Sequence, residues 1–338
     1  FFQAEDGIRD SSTSRGLGDV YKRQLRVKYM SSMQTTIKDD IKFVGMGVHT
    51  NSKSSIILKP SDPGTGISFK RTDIKDRNKN IIKANYKNVK STYYCTEIAN
   101  EYNVSVLTVE HLLAAIFGAN IDNLEILIDG PEVPILDGSS KIFMDGIQDN
   151  KIIKQGQAKK FIKILKPIEI NHNSACATFT PNDRLIIDAQ IDFKHRLIGK
   201  QKMEIEINYD NFLNEISNAR TFGFLEHAEK LHSMGYGLGV TLSNTIVLTD
   251  KNIMNTGGLN STDEFVRHKI LDICGDLKLA DFSIIGMCTS IFGGHNINYL
   301  AVKALFENKN SWQLVETDED IEIPKSLEHI EQQKLVNQ

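Results

Sequence analysis

Arg-His-Lys-Ile-Leu-Asp, residues 267–272, is the stretch on which the reading of this chain turns. His268 and Asp272 are four positions apart, so on a helix they leave one face about one turn from each other. A second stretch, Thr-Val-Glu-His-Leu-Leu-Ala-Ala at 108–115, reads as another helix. Thr108 stands where a capping residue belongs, Leu112, Leu113, Ala115 and Ile116 build an apolar side, and Gly118 ends it. In each half a run of short strands leads into such a helix. The first run is 35–43, 54–59 and 67–71; the second is 161–170, 174–180 and 184–192, leading to a helix over about 263–280. A strand at 124–128 follows the first helix and one at 296–306 is expected after the second. This repeated order predicts the α+β class, with two similar domains facing each other across a site.

The expected domains are 33–154 and 160–309, joined by the polar stretch 150–160. Residues 72–80 read as a charged, solvated loop, and 129–140 as a loop too rich in proline and glycine for regular structure. A helix is expected over 140–149. The segment 222–255 interrupts the second half as an insertion, with Gly223, Gly235, Gly237 and Gly239 among apolar residues. The tail over 310–338 is acidic and amphipathic. Residues 1–24 carry no period of 2 or 3.6 and lack the apolar core of a secretory signal. Their wording resembles translated sequencing-adapter read-through, so a leader over 1–32 is expected to be artefact or disorder, with Met30 or Met33 as the start.

Composition excludes several classes. The 338 residues suffice for two domains and a sizeable core. Forty basic residues against 43 acidic leave a net charge of −3, which does not suit a nucleic-acid binder. Cys95, Cys176, Cys274 and Cys288 are scattered, with no Cys-x-x-Cys pair, which fits a reducing compartment. No apolar run approaches the roughly 20 residues of a membrane span. The expectation is a cytoplasmic, monomeric protein.

Two side chains placed like His268 and Asp272 can share a metal ion, and His111 is the best candidate for a third ligand. Three N/O ligands leave a fourth position for water, as in catalytic zinc sites. Taken alone, an i, i+4 His/Asp pair is more often a surface contact. Glu110-His111 is no stronger alone in a chain with nine histidines. Gly293-Gly294-His295 adds weight, since two glycines put a histidine at a turn before the expected strand and make it a candidate acid.

Five motifs now stand in order: 108–115; Ile-Asp-Asn-Leu-Glu-Ile with Asp-Gly-Pro-Glu-Val-Pro-Ile-Leu-Asp-Gly-Ser at 121–126 and 129–139; Ala-Arg-Thr-Phe-Gly-Phe at 219–224; 267–272; and Gly-Gly-His at 293–295. From about 35 to 305 the chain resembles the UDP-3-O-acyl-N-acetylglucosamine deacetylase family, zinc amidases of lipid A biosynthesis. The resemblance implies two similar domains with helices sandwiched between two sheets. It implies hydrolysis of the acetamide of UDP-3-O-(3-hydroxyacyl)-N-acetylglucosamine to the free amine and acetate.

The resemblance also implies roles. His111, His268 and Asp272 would hold Zn2+, although Fe2+ also suits a His2Asp set. Glu110 would be the general base, His295 the acid, Thr221 an oxyanion donor and Asp276 the group that orients His295. Lys269 and Phe222 are expected at the sugar or its diphosphate, with an exposed lysine and a core phenylalanine as the plain alternatives. Leu225, Met234, Leu238, Val240 and Ile246 are expected to wall an acyl passage in the insertion. His49 and the Cys95-Thr96 pair match family segments near the site, without a ligand role.

Overall fold

The protein was analysed as a computed structural model that describes residues 32–316, with the two-residue strands Tyr29–Met30 and Ile321–Glu322 paired to each other. The leader expected over 1–24 and most of the tail expected over 310–338 lie outside the described residues. Alternation builds the first sheet. In Lys53–Pro60 the buried side chains are Ser54, Ile56 and Leu58, and in Leu124–Ile128 they are Leu124, Ile126 and Ile128. One face of each strand therefore enters the core. The sheet runs Ile41–Met46, Lys53–Pro60, Leu124–Ile128, Ile67–Arg71, Ile81–Lys83, all antiparallel neighbours except the parallel pair of Leu124–Ile128 with Ile67–Arg71.

The second sheet is organised by Ser283–Ile291. This strand pairs with Lys160–Ile164 and Leu185–Phe193 in parallel and with Ala175–Thr180 antiparallel. Ile168–His172, Gly199–Glu206 and Trp312–Glu316 complete it. Among the described residues, the helices of six or more residues are α1 (Glu110–Gly118), α2 (Lys141–Asp149), α3 (Ala228–Ser233), α4 (Glu264–Leu277) and α5 (His295–Glu307). In α1 all residues but Phe117 are buried, and in α4 only Arg267 and Lys269 are not. A helix buried on every side needs cover on every side. One core cluster accordingly takes in residues of both sheets together with α1, α4 and α5. The fold is of the α+β class.

Several local expectations are corrected. Residues 296–306 form most of α5, a helix, where a strand was expected. Asn296-Ile297-Asn298-Tyr299 alternates polar and apolar and mimics period 2, but the buried set Ile297, Ala301, Val302 and Leu305 follows a helical face. His295 therefore opens a helix, with Gly294 extended at its N-cap. The expected strand 35–43 breaks in two. Met33–Ile37 leaves the first sheet and pairs antiparallel with Ile152–Ala158, so the polar stretch 150–160 is largely a strand.

Thr108 does not cap α1. Its φ of +57° lies in the left-handed region, and Val109 is the N-cap residue, without a side-chain cap. A β-branched residue held there costs roughly 1–3 kcal/mol unless neighbours over-determine it. Here the Thr108 hydroxyl donates to Glu132 Oε1 at 2.8 Å.

Candidate metal centre and active site

His111 comes from the first turn of α1, and His268 and Asp272 from one face of α4. Their ligand atoms lie within 4.8 Å of one another and all three residues are buried. The helices meet closely because α4 offers Gly275 to the backbone of Glu110. His268 Nδ1 lies 3.1 Å from the carbonyl oxygen of Ala219. With its proton on Nδ1, the ring donates there and its Nε2 lone pair faces Asp272 Oδ1 at 3.4 Å.

Asp272 Oδ1 and His111 Nδ1 are buried without hydrogen-bond partners. Two facing lone pairs and an unpartnered carboxylate oxygen are unfavourable unless a cation lies among them. The donor set fits a divalent metal. Burial, aided by His268, lowers the His111 pKa to about 3, so the ring is a neutral ligand at working pH. Burial also lowers that of His268. For Asp272 burial opposes the charge, but Lys269 and the surrounding histidines hold it well below the carboxylate range. Lys269 Nζ sits 2.9 Å from Asp272 Oδ2.

Beside this triad runs a chain of ionisable groups. Glu110 Oε2 accepts the backbone N–H of Thr96 at 3.0 Å, and Oε1 faces His295 Nε2 at 3.5 Å. His295 Nδ1 meets Asp276 Oδ2 at 2.9 Å. Asn298 Nδ2 donates to the same oxygen at 2.9 Å, and the Thr96 hydroxyl donates to Asp276 Oδ1 at 2.6 Å. Burial raises Glu110 to about 7, against the pull of His295. Burial works to lower His295, but the Asp276 and Glu110 carboxylates outweigh it and bring it to about 10. A half-ionised carboxylate and an imidazolium in contact are suited to taking and giving a proton near neutral pH.

The triad, Glu110 and His295 lie in a cavity of about 770 Å³. Glu110, His111, Thr221, Phe222, Leu225, His268, Lys269, Asp272 and His295 all line it. Thr221 is fixed by donating its N–H to Gly138 O at 2.7 Å and accepting from Ile246 N–H at 2.8 Å. The Lys269 ammonium lies 5.5 Å from the Phe222 ring centroid, so both residues mark one wall. From the insertion Leu231, His232, Val240, Leu242 and Met254 line the cavity. Met234 and Leu238 stand exposed on the insertion, outside that lining, and Ile246 is fully buried in the strand Ile246–Leu248.

Glu132 went unnoticed in the sequence, where it is one residue of a Pro/Gly-rich loop. It is fully buried, and its carboxylate accepts from His49 N–H (2.9 Å), Thr50 N–H (2.8 Å), Thr50 Oγ1 (2.6 Å) and Thr108 Oγ1. It thereby ties the loop carrying His49, a cavity residue, to the start of α1. A glutamate in Asp-Gly-Pro-Glu, bracketed by glycine and prolines, was the available signal. Asn298 and the double role of Thr96 had none.

A family model described as UDP-3-O-acyl N-acetylglycosamine deacetylase matches residues 34–307. Among similar proteins is the UDP-3-O-acyl-N-acetylglucosamine deacetylase of Histophilus somni. It is 42% identical over 294 residues, covering 86% of this chain and 96% of that protein. The protein of the same name from Brucella ovis is 41% identical over 289 residues, covering 85% of this chain and all of its own length. That of Haemophilus influenzae is 39% identical over 294 residues, covering 86% and 96%. With the match spanning both helices of the candidate metal site and the Gly-Gly-His turn, the chain belongs to the UDP-3-O-acyl N-acetylglycosamine deacetylase family.

Proposed function

We propose that this protein is a cytoplasmic, monomeric, Zn2+-dependent amidohydrolase of lipid A biosynthesis. Its substrate is UDP-3-O-(3-hydroxyacyl)-N-acetylglucosamine, from which it releases acetate and leaves the free 2-amine. The observation that carries this reading is the convergence of the His111, His268 and Asp272 ligand atoms with Glu110 and His295 in one partly apolar cavity, with Asp276 bonded to His295 outside its lining. In this reading the site is shared by two domains, 33–154 and 160–309.

His111, His268 and Asp272 would hold the zinc, which would supply Lewis acidity toward the amide carbonyl and water. Glu110, ionised in part at neutral pH, takes the proton of the attacking water through Oε1. The Thr221 hydroxyl donates to the oxygen on which negative charge develops. His295 enters as imidazolium, stabilises that charge and hands a proton to the departing amine nitrogen. Asp276 accepts from Nδ1 and keeps the ring turned toward Glu110. Lys269 and Phe222 hold the sugar and diphosphate, and Leu225 with its neighbours of the insertion takes the acyl chain; Met234 and Leu238 flank that path from outside.

The test measures acetate release from the acylated substrate and from UDP-N-acetylglucosamine, with zinc content followed in parallel. Activity on the acylated substrate, far lower activity without the acyl chain, and loss of both zinc and turnover in His268→Ala are expected. Equal efficiency on the two substrates would make this a general sugar-nucleotide deacetylase, and full activity without metal would end the mechanism.

A further inference from the structure

Thr96, just before the strand Glu97–Ala99, is 2% exposed and bonds to two carboxylates at once. Its N–H goes to Glu110 Oε2 on α1, and its hydroxyl to Asp276 Oδ1 on α4. Asp276 Oδ2 is shared by His295 and Asn298, both of α5. His295 Nε2 then returns to Glu110 Oε1. The four residues close a ring that joins three helices to the segment before Glu97–Ala99: Thr96, Glu110, His295, Asp276 and back to Thr96.

We propose that Thr96 is a positioning residue for deacetylation that aims both carboxylates of the proton-transfer chain. Its amide occupies Oε2 of Glu110 and so reserves Oε1 for water and His295. Its hydroxyl occupies Oδ1 of Asp276, and with Asn298 on Oδ2 it holds the carboxylate in the orientation that His295 meets. A buried carboxylate has about four acceptor positions and needs donors on both oxygens. A hydroxyl at 2.6 Å from it is a short, charge-assisted bond. Valine matches threonine in shape but leaves Oδ1 without a donor in a buried site, where the carboxylate is free to rotate. That rotation releases His295. Serine keeps the donor.

The inference rests on the proposed roles of Glu110, His295 and Asp276, so its test must separate the two. With zinc-loaded, full-length protein and the acylated substrate, kcat and KM are compared for wild type, T96V, T96S, D276N and T96V/D276N. Zinc content and thermal unfolding are recorded for each. T96V is expected to lower kcat about 10- to 100-fold, the span of one charge-assisted hydrogen bond, with KM within about twofold and zinc stoichiometric. T96S restores most of that loss, and T96V costs nothing further in the D276N background, because Thr96 acts through Asp276. T96A replaces T96V, with the same expectation, if valine disturbs folding. Wild-type kcat in T96V, a T96S enzyme as slow as T96V, or losses that multiply in the double variant would each overturn the proposal. An unchanged kcat in D276N would instead remove Asp276 from the reaction and the proposed mechanism with it.

Discussion

Gly275→Ala tests the geometry that brings the metal ligands together. Gly275 lies on α4 between Asp272 and Asp276, pressed against α1. A Cβ there would stand 2.2 Å from the carbonyl oxygen of Glu110, 2.8 Å from its carbonyl carbon and 2.9 Å from its Cα. Ordinary contact begins at 3.4 Å, so the helices must part by about 1.2 Å. The obstacle is backbone, and no rotamer change relieves it. Metal–ligand distances tolerate only about 0.2 Å of error, so the displacement is several times what the site accepts. Alanine regains about 1 kcal/mol of helix propensity, while overpacking a close contact costs roughly 1–3 kcal/mol and here lies toward the upper end. The expected outcome is a metal-free protein destabilised by about 1–2 kcal/mol in urea unfolding, and zinc affinity weakened about 100-fold in chelator competition. Deacetylation falls in step with zinc occupancy. A G275A protein that binds zinc and unfolds like wild type would refute the claim that the α1–α4 contact sets the ligand spacing.

With Glu110 as the proposed base acting ionised and His295 as the proposed acid acting protonated, the pH–rate profile should be a bell with free-enzyme limbs at or below about 7 and 10. The bound cation draws both downward. Glu110→Gln should keep zinc and lose about 10²- to 10⁴-fold in kcat; His295→Ala should abolish the basic limb, and a limb left in place would remove His295 as the acid. Metal-free protein should lose stability on acidification below about pH 6.5. His111 is depressed to about 3 in the folded state, so the unfolded chain binds a proton that the native protein refuses, and His268 acts in the same direction. Glu110 acts oppositely, since its raised pKa makes the native state bind a proton between about 7 and 4.5. The net slope is up to about 1.4 kcal/mol per pH unit, and Glu110→Gln should steepen it. Chemical denaturation of wild type and Glu110→Gln from pH 6.5 to 5 measures this, and a flat profile in Glu110→Gln, where no carboxylate offsets the histidines, would show that they are not buried neutral.

How much was legible varies with the range of the interaction. His268 and Asp272 were readable as a pair because helical spacing is local, and α4 delivers it. The order of motifs pointed to His111 and His295 without saying how they meet. Residues 296–306 misled because a few alternating residues at the start of a helix look like a strand, and only the buried face of α5 decides between the two periods. Thr108 had the chemistry of a cap, but its hydroxyl bonds to Glu132, 24 positions away, and its backbone follows that demand.

Residue types and local spacing offered His268, Asp272 and His111 as candidate ligands, and the ordered motifs, through the family resemblance, implied a carboxylate base and an imidazole acid. Contacts across long stretches of chain decided whether that chemistry is assembled. Gly275 against Glu110 sets the distance between the ligand helices. Thr96 reaches Asp276 across 180 positions, burial raises Glu110 to about 7, and the Asp276 and Glu110 carboxylates raise His295 to about 10 against its own burial. A sequence pattern carries local periodicity, whereas desolvation and hydrogen-bond closure depend on which distant residues the fold packs together.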